Sequence, residues 1–294
     1  MNNFSISQLQ QFSGIKAHTI RIWEQRYNAL TPNRSEGNTR YYDDSQLRRL
    51  LNIVSLMDTD YKVSELCSMP DEKLFNLIKS RLLSKSAESS STEYFVSQLI
   101  AAGMCYDVAA FEKVFSICIE KFGIKNTYVK VIYPLLDRIG LMWSCDTMPP
   151  AHEHFISNII RQKLFSAIDA LPPAKSLKDT WLLFLPENEF HEIGLLFSYY
   201  LIRNAGKRVV YLGNNVPLDT LIAAVKEISP SNLLFFLVHN DAPGECEKYC
   251  NTLIKNFGKI KIHLAGNKNI IGKIKTGKQI KSIGSPADLE KEIS

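Results

Sequence analysis

The stretch IKAHTIRIWEQRYNALTPNRSEGNTRYYDDSQLRRL, residues 15–50, decides the fold of the first part of the chain. Its first third spaces apolar residues as a short amphipathic helix does, which predicts that Ile20 and Trp23 point inward. A Trp at such a position is typical of a core residue. The same helix is expected to point polar and basic side chains outward, namely those of Lys16, His18, Thr19 and Arg21.

A second short helix is predicted just before this stretch. Ser5 followed by Gln8 is typical of a capping box at a helix start. Gly14 suits the left-handed position just past a helix end. Two short helices joined across a glycine form a helix-turn-helix, whose second helix enters the major groove of DNA. Helix pairs are also common in proteins that do not bind DNA, so this spacing alone leaves both interpretations open.

The second half of the stretch predicts a wing. Residues 35–38, Ser-Glu-Gly-Asn, are a strong hairpin turn with basic and aromatic flanks, and guanidinium and phenol groups suit contacts with phosphates. The flanking residues are Arg34, Arg40, Tyr41 and Tyr42. A third helix is predicted from apolar residues spaced by three, four and seven, namely Leu47, Leu50, Leu51 and Val54.

Residues 15–50 resemble the MerR family of regulators throughout, in particular the branch with a Trp-Glu-x-Arg-Tyr sequence and a longer wing. The resemblance extends without a gap over about seventy residues. It implies that Arg21, Arg26, Tyr27 and Arg40 contact or organise the DNA backbone. Simple MerR regulators dimerise through a long helix after this domain. Here a polar stretch, SKSAESSSTE, follows instead, so dimerisation is expected to come from elsewhere in the chain.

Length, composition and net charge limit the possible domain organisation and function of the chain. A chain of 294 residues with 45% hydrophobic residues is long enough for two or three domains. The net charge of +5 is modest, and the six cysteines include no CxxC pair, so neither a disulfide framework nor a zinc site is expected. The N-terminus lacks the pattern of a signal peptide, and no segment is apolar enough to span a membrane. A cytoplasmic protein is therefore predicted.

Three regions with different sequence patterns follow one another along the chain. The helix-turn-helix domain is assigned to residues 1–75 and a linker to residues 76–93. Residues 94–171 have wholly helical periodicity. In residues 177–294, apolar runs alternate with amphipathic helices, which predicts βαβ units and a parallel sheet. The predicted strands include 181–185, 208–212 and 233–238.

One polar motif follows the first predicted strand of the sheet, Glu189-x-His191-x-x-Gly194. Ligands of parallel sheets bind beyond the carboxyl ends of the strands. There His191 can offer an imidazole nitrogen to a metal, while Glu189 fixes its tautomer. Gly194 would let the backbone approach a bulky ligand. The alternative is an ordinary exposed His–Glu pair at a strand end, and the residues alone leave both open.

Taken with the helical segment before it, this motif resembles the cobalamin-binding module of methionine synthase and of light-sensing regulators of the CarH and LitR type. The resemblance implies a four-helix cap, residues 94–171, before a flavodoxin-like α/β domain. It implies that His191 is the lower cobalt ligand, that Glu189 orients it, and that Gly194 belongs to the same loop. Upper-face residues would be Trp143, Glu153 and His154.

The chain departs from that family at three places. Ser144 stands where the light sensors have a second cobalt-binding His, and a hydroxyl is a poor ligand for Co(III). His152 is a candidate substitute. Bulky residues 236–238, Phe-Leu-Val, stand where the family has a small hydroxyl residue beside the nucleotide tail, and Ala265-Gly266 replaces a Gly-Gly pair. The lower-ligand loop is thus intact, whereas the tail pocket is altered.

Two functions are carried forward from the sequence. The first is a DNA-binding transcription regulator whose C-terminal half binds adenosylcobalamin or methylcobalamin and controls oligomerisation and operator binding. The alternative is a cofactor-independent regulator whose altered cobalamin-binding fold serves dimerisation or protein interaction. An enzyme of the corrinoid-transfer class is not expected, because a DNA-binding head on such an enzyme is unusual. Expected partners are an operator DNA duplex, further copies of the chain and RNA polymerase.

Overall fold

A computed structural model describes residues 4–35, 37–57, 59–83, 92–144, 149–174, 176–238, 243–266, 271 and 279–294. The chain forms two compact units, Met1–Ile159 and Ile160–Ser294.

The first unit begins with the predicted winged helix-turn-helix. Its elements are α1 (Ile6–Ser13), α2 (Ala17–Tyr27), β1 (Asn33–Arg34), β2 (Arg40–Tyr41), α3 (Asp44–Ser55), α4 (Val63–Ser68) and α5 (Asp71–Leu83). Strands β1 and β2 pair antiparallel as the wing. The predicted capping box at Ser5 and Gln8 is present, and Gly14 ends α1 with φ 74°. The prediction of the three-helix head with its wing is therefore confirmed.

Burial in the head follows the predicted helical periodicity. Ile20 and Trp23 of α2 are buried, at 0% and 6% exposure. The apolar residues of α3 are buried as well, namely Leu47, Leu50, Leu51, Ile53 and Val54. Arg49 of α3 joins the surrounding turns, because its guanidinium donates to the carbonyls of Ala29, Cys67 and Met69 and pairs with Asp71.

The remainder of this part of the chain is helical. Its helices are α6 (Thr92–Met104), α7 (Val108–Thr127), α8 (Tyr133–Ser144) and α9 (Pro150–Asp169), with a π-helical turn, Tyr128–Ile132, leading into α8. Helix α7 is kinked at Gly123, whose φ of 71° is unfavourable for other residues. Of the predicted linker, residues 76–83 belong to α5 and residues 92–93 begin α6. Residues 84–91 lie outside the described part of the chain.

The head packs directly on these helices within the first unit. Helix α3 lies against α6, and α1 lies against α8. Gln98 of α6 donates to the side chains of Ser55 and Asn52 of α3, over 2.9 and 3.4 Å. Arg138 of α8 donates to the carbonyl of Phe12 at the end of α1, over 3.4 Å.

The second unit contains a parallel sheet with helices on both faces. Its elements are β3 (Ser176–Pro186), α10 (Ile193–Asn204), β4 (Lys207–Val216), α11 (Leu218–Ile228), β5 (Asn232–Leu237), α12 (Pro243–Phe257), β6 (Lys261–Gly266), β7 (Ile280–Ile283) and α13 (Pro286–Ile293). Among the described residues the sheet has five strands in the order β4-β3-β5-β6-β7, all parallel. This is the doubly wound order of flavodoxin-like folds, which confirms the predicted fold class.

Alternation along the strands divides the core into two layers. Leu182 and Phe184 of β3 and Phe235 of β5 pack with residues of α11 and α12 on one face. Residues of the opposite parity face α10 and α13, which pack against each other. The loop between β3 and α10, which holds the predicted ligand motif, leaves the carboxyl edge of a central strand.

Candidate functional site

The outer face of α2 carries most of the predicted DNA-contacting residues. Lys16, His18, Arg21 and Arg26 are exposed, whereas Thr19 and Tyr27 are half-buried. Lys16 stands at the N-terminal boundary of α2 and Arg26 in its last turn. This face therefore presents cations along a helix of eleven residues, which is an arrangement suited to a phosphate backbone.

The wing is fastened to α2 by a buried carboxylate. Glu24, 7% exposed, accepts a hydrogen bond from the Tyr42 hydroxyl and forms an ion pair with Arg40, whose Nε lies 3.4 Å from its Oε2. Burial raises the pKa of Tyr42, and the hydrogen bond to Glu24 adds to the rise. The phenol therefore stays neutral and donates. Glu24 thus sets the position of the wing relative to the recognition helix.

Two other predicted wing residues have distinct surroundings. Arg34 is exposed and donates to the side-chain oxygen of Asn38, over 2.6 Å, which holds it against the turn. Tyr41 is half-buried. Sequence reasoning missed Glu24, although its position four residues after the core residue Ile20 places it on the buried face of α2.

The loop after β3 brings together the two polar residues of the predicted ligand motif. Oε1 of Glu189 lies 2.6 Å from Nδ1 of His191 and accepts from the backbone N–H groups of Phe190 and His191, over 2.9 and 3.0 Å. Its second oxygen accepts from the backbone N–H of Val238, over 2.9 Å. The side chain of Glu189 is 5% exposed and that of His191 is 52% exposed. A nearly buried carboxylate therefore holds an accessible imidazole.

This contact determines the chemistry of the imidazole. A carboxylate that accepts backbone N–H groups acts as an acceptor toward the ring as well, so Nδ1 of His191 carries the hydrogen. In the neutral form of the ring, Nε2 then has the lone pair that metal binding requires. Within the described ranges no three His, Cys, Asp or Glu residues cluster as a metal site. A single imidazole held by a carboxylate can supply one ligand to a metal.

Neighbouring strands fix the backbone of this loop. The side-chain oxygen of Asn215, at the end of β4, accepts from the N–H of Asn188, over 2.9 Å. The N–H of Asn215 donates to the carbonyl of Glu189, over 3.1 Å. Both asparagines have positive φ, at 66° for Asn188 and 52° for Asn215. With the Val238 contact, the loop is tied to strands on both sides of β3.

Glu192, one residue after His191, lies in a second polar cluster that the sequence analysis missed. Its carboxylate accepts from the Tyr211 hydroxyl, over 2.7 Å, and pairs with Arg161 of α9, over 3.4 Å. Burial raises the pKa of Tyr211, and the hydrogen bond to Glu192 adds to the rise. The loop is thereby anchored at its end as well as at its start.

Gly194 lies in the first turn of α10, against the ring of Phe236 on β5. A Cβ at Gly194 would lie 2.8 Å from Cε1 of Phe236, which is closer than real Cβ contacts. A side chain at position 194 would therefore displace an aromatic ring of the chain itself. At the end of β6, a Cβ at Gly266 would lie 2.1 Å from the carbonyl oxygen of Leu237 in β5, so strand packing accounts for this glycine. Ala265 beside it is buried.

The predicted upper-face residues are distributed over α8 and α9. Trp143 and Ser144 end α8, and their side chains lie outside the described part of the structure. On α9, Oε2 of Glu153 lies 2.8 Å from Nδ1 of His154, whose side chain is 71% exposed. His152 is buried, and its ring stacks on Tyr106 with the centroids 4.4 Å apart. His152, the candidate substitute ligand, therefore packs within the helices.

Two family models match parts of this chain, and the loop with Glu189, His191 and Gly194 lies outside both matches. Residues 4–69 match the family model described as MerR HTH family regulatory protein, and residues 96–166 match the B12 binding domain. The chain carries a MerR-type helix-turn-helix domain and a B12-binding domain. The MerR-type match contains all nine predicted DNA-contacting residues. The B12-binding match contains Trp143, Glu153 and His154.

Two curated relatives of this chain come from Myxococcus xanthus. HTH-type transcriptional repressor CarH is 29% identical over 77% of this chain and 76% of its own length. HTH-type transcriptional repressor CarA is 27% identical over 82% of this chain and 78% of its own length. Among solved structures, the monomethylamine corrinoid protein of Methanosarcina barkeri aligns with 68% of this chain and 93% of its own, at 13% identity and a TM-score of 0.47.

Among the described helices, none combines the length and the apolarity needed to cross a bilayer.

Proposed function

We propose that this chain is a DNA-binding transcription regulator that takes cobalamin as its cofactor and uses His191 as the lower cobalt ligand. The contact between Glu189 and His191 carries the cofactor half of the proposal, because it leaves an accessible imidazole in the metal-binding tautomer. The match of residues 4–69 to the MerR-type family supports the DNA half. Two relatives named as transcriptional repressors agree with a regulator rather than an enzyme.

The DNA-binding surface consists of the exposed face of α2 and the wing. Arg21 and its neighbours on α2 would enter the major groove, while the wing contacts the flanking backbone. Glu24 acts indirectly, since it holds Arg40 and Tyr42 and so fixes the angle between the two contact regions. The nine predicted contact residues are Lys16, His18, Thr19, Arg21, Arg26, Tyr27, Arg34, Arg40 and Tyr41.

The residues of the second unit fit the lower side of a corrinoid. His191 would donate Nε2 to cobalt, and Glu189 would hold the ring and raise its basicity. Asn215 and Glu192 keep the loop in place from either end. The resemblance further implies that Trp143, Glu153 and His154 belong to the cofactor-binding residues. When bound, a cobalamin supplies a cobalt–carbon bond whose cleavage can signal light or chemical state.

Regulation would then act through assembly. Oligomerisation through the C-terminal half presents two or more heads to a repeated or palindromic operator in the cytoplasm, and linked heads bind far more tightly than one. The state of the cofactor would change the oligomer and so the occupancy of the operator. Contact with RNA polymerase belongs to this proposal as a partner at the promoter.

The test is expression of the full chain with adenosylcobalamin in the dark, followed by purification and an absorption spectrum. We expect cobalamin absorbance that co-purifies with the protein and is lost in His191→Ala. Glu227→Ala, on the far side of the sheet in α11, serves as the matched surface control. A colourless wild-type protein that still binds operator DNA would reject the cofactor half and leave the DNA half standing.

One observation favours a second candidate, a cofactor-independent regulator. The ring of Phe236 against Gly194 occupies space that a large ligand beside the loop would use. In this candidate the α/β unit serves only dimerisation or protein interaction. It predicts that operator binding and oligomeric state are the same with and without added cobalamin, and that His191→Ala changes neither.

A further inference from the structure

A protein that supplies the lower ligand of cobalamin must accommodate the group that this ligand displaces. The nucleotide base that otherwise occupies the lower cobalt position is displaced when a protein imidazole binds there. This base stays tethered to the corrin ring, so it needs a place close to the coordinating loop. The following inference rests on the proposed function, since it assumes that His191 is the lower ligand.

Gly194 and Phe236 border the His191 loop on the face of the sheet that α10 covers. Gly194 is the second residue of α10, three residues after His191, and its missing side chain allows a close approach between this turn and β5. Cε1 of Phe236 lies 2.8 Å from where a Cβ would stand, and Cδ1 lies 3.2 Å away. The ring of Phe236 thus fills the gap that the glycine leaves.

Phe236 is also held close to the loop by the backbone. Two residues further along, the N–H of Val238 donates to Glu189, so the end of β5 and the loop cannot separate without loss of a charge-assisted hydrogen bond. Phe236 itself is only partly buried, unlike Phe235 on the opposite face, which is fully buried. Its ring can therefore be removed with less damage to the core than that of its neighbour.

We propose that Phe236 determines corrinoid selectivity, because its ring occupies the space beside Gly194 that a displaced nucleotide tail needs. The chain accordingly binds a corrinoid that lacks the nucleotide more tightly than complete cobalamin. Forcing an additional bulky group into a packed region costs on the order of 1–3 kcal/mol, which corresponds to roughly a 5- to 150-fold difference in dissociation constant.

The test measures equilibrium binding of adenosylcobalamin and adenosylcobinamide to the full chain in the dark, by dialysis and absorbance. The two probes share the upper ligand and differ in the nucleotide tail. We expect wild type to favour adenosylcobinamide about tenfold or more, within the range that such overpacking gives. Phe236→Ala should tighten adenosylcobalamin by a similar factor and leave adenosylcobinamide within about twofold, since only the former places a group beside Gly194.

Two further variants keep the outcome interpretable. Phe236→Leu should shift selectivity in the same direction by less, and Phe235→Leu makes the same chemical change on the opposite face and should leave selectivity unchanged. His191-dependent binding of both probes with equal affinity in wild type and Phe236→Ala would overturn the assignment of Phe236 alone. Absence of binding of either probe to wild type and to all variants would overturn the proposed cofactor function, and this inference with it.

Discussion

His263 lies inside the second unit, where its ring stacks on Trp181 with the centroids 4.8 Å apart. Its Nε2 is 3.2 Å from the side-chain oxygen of Asn232, whose amide nitrogen donates to Asp179. Burial lowers the pKa of His263 to about 4, from an ordinary value of 6.5. The folded protein therefore keeps this histidine neutral under conditions in which the unfolded chain protonates it.

The sign of the pH dependence follows from that difference. Stability from the neutral His263 is fully present above about pH 6.5 and is lost as the pH falls through the folded pKa of about 4. We expect the free energy of unfolding to fall by on the order of 1–2 kcal/mol between pH 7 and pH 5 from this group. His263→Gln should flatten the profile in urea titrations at several pH values. An identical slope in wild type and variant would contradict the assignment.

Local residue patterns predict some of these features and miss others. The capping box at Ser5 and the glycine at position 14 follow from short-range rules, and both are present. The partners of Glu24 and of Phe236 lie far away in sequence. No short-range rule indicates that the Tyr42 hydroxyl reaches Glu24 or that an aromatic ring on β5 covers Gly194. Such pairs appear only when the elements are assembled.

At the scale of elements, α8 connects the head to the helices that follow it. Arg138 donates to both carboxylate oxygens of Glu93, over 2.8 and 2.9 Å, and to the carbonyl of Phe12 over 3.4 Å. Its guanidinium also lies 3.6 Å from the position of a Cβ at Gly14. One side chain therefore joins the end of α1, the start of α6 and the middle of α8.

Removal of this side chain should loosen α1. We expect Arg138→Ala to destabilise the first unit by about 1–2 kcal/mol, because charge-assisted hydrogen bonds are lost while partial exposure of Glu93 weakens the effect. Amide hydrogen exchange should speed up in the last turn of α1. The matched control is Lys113→Ala on the exposed side of α7. Equal exchange at Phe12 and Gly14 in wild type and Arg138→Ala would refute this role.

The sheet shows how far element bounds can be predicted. The apolar runs 181–185, 208–212 and 233–238 mark β3, β4 and β5, but β4 extends to Val216. Its last residues include Asn214 and Asn215, which have the composition of a turn, and Asn215 is used to hold the ligand loop. The kink at Gly123 and the π-helical turn after it were not predicted, since both interrupt a continuous helical periodicity.

The order of domains along the chain could be predicted because each domain has its own periodicity and motif. What the sequence does not indicate is that the head and the helices after it form one compact unit, with α3 on α6. The polar stretch at 84–93 suggested separation instead. The polar composition of residues 84–93 describes only the connection between the head and the helices. The packing of the head depends instead on the face of α3 that lies against α6.

DNA binding by the full chain should depend on Arg21. Arg21→Ala should weaken binding to operator DNA and reduce the slope of log affinity against log salt by about one for each bound head, since each head loses one phosphate contact. Titration in gel-shift or anisotropy assays at several salt concentrations measures both. Lys255→Ala, an exposed cation on α12, should leave both unchanged. An unaltered salt slope in Arg21→Ala would remove Arg21 from the interface.

The packing of α3 on α6 has a practical consequence for those who build chimeric sensors. A fusion that joined residues 1–83 to a foreign receptor would strip α6 from the face of α3 and leave Ser55 and Asn52 without Gln98. Such a graft would expose apolar surface and tend to aggregate. A fusion that includes α6 through α9 together with the DNA-binding head keeps the contact between α3 and α6. The part of the chain that can be transferred as a folded unit is therefore larger than the DNA-binding head.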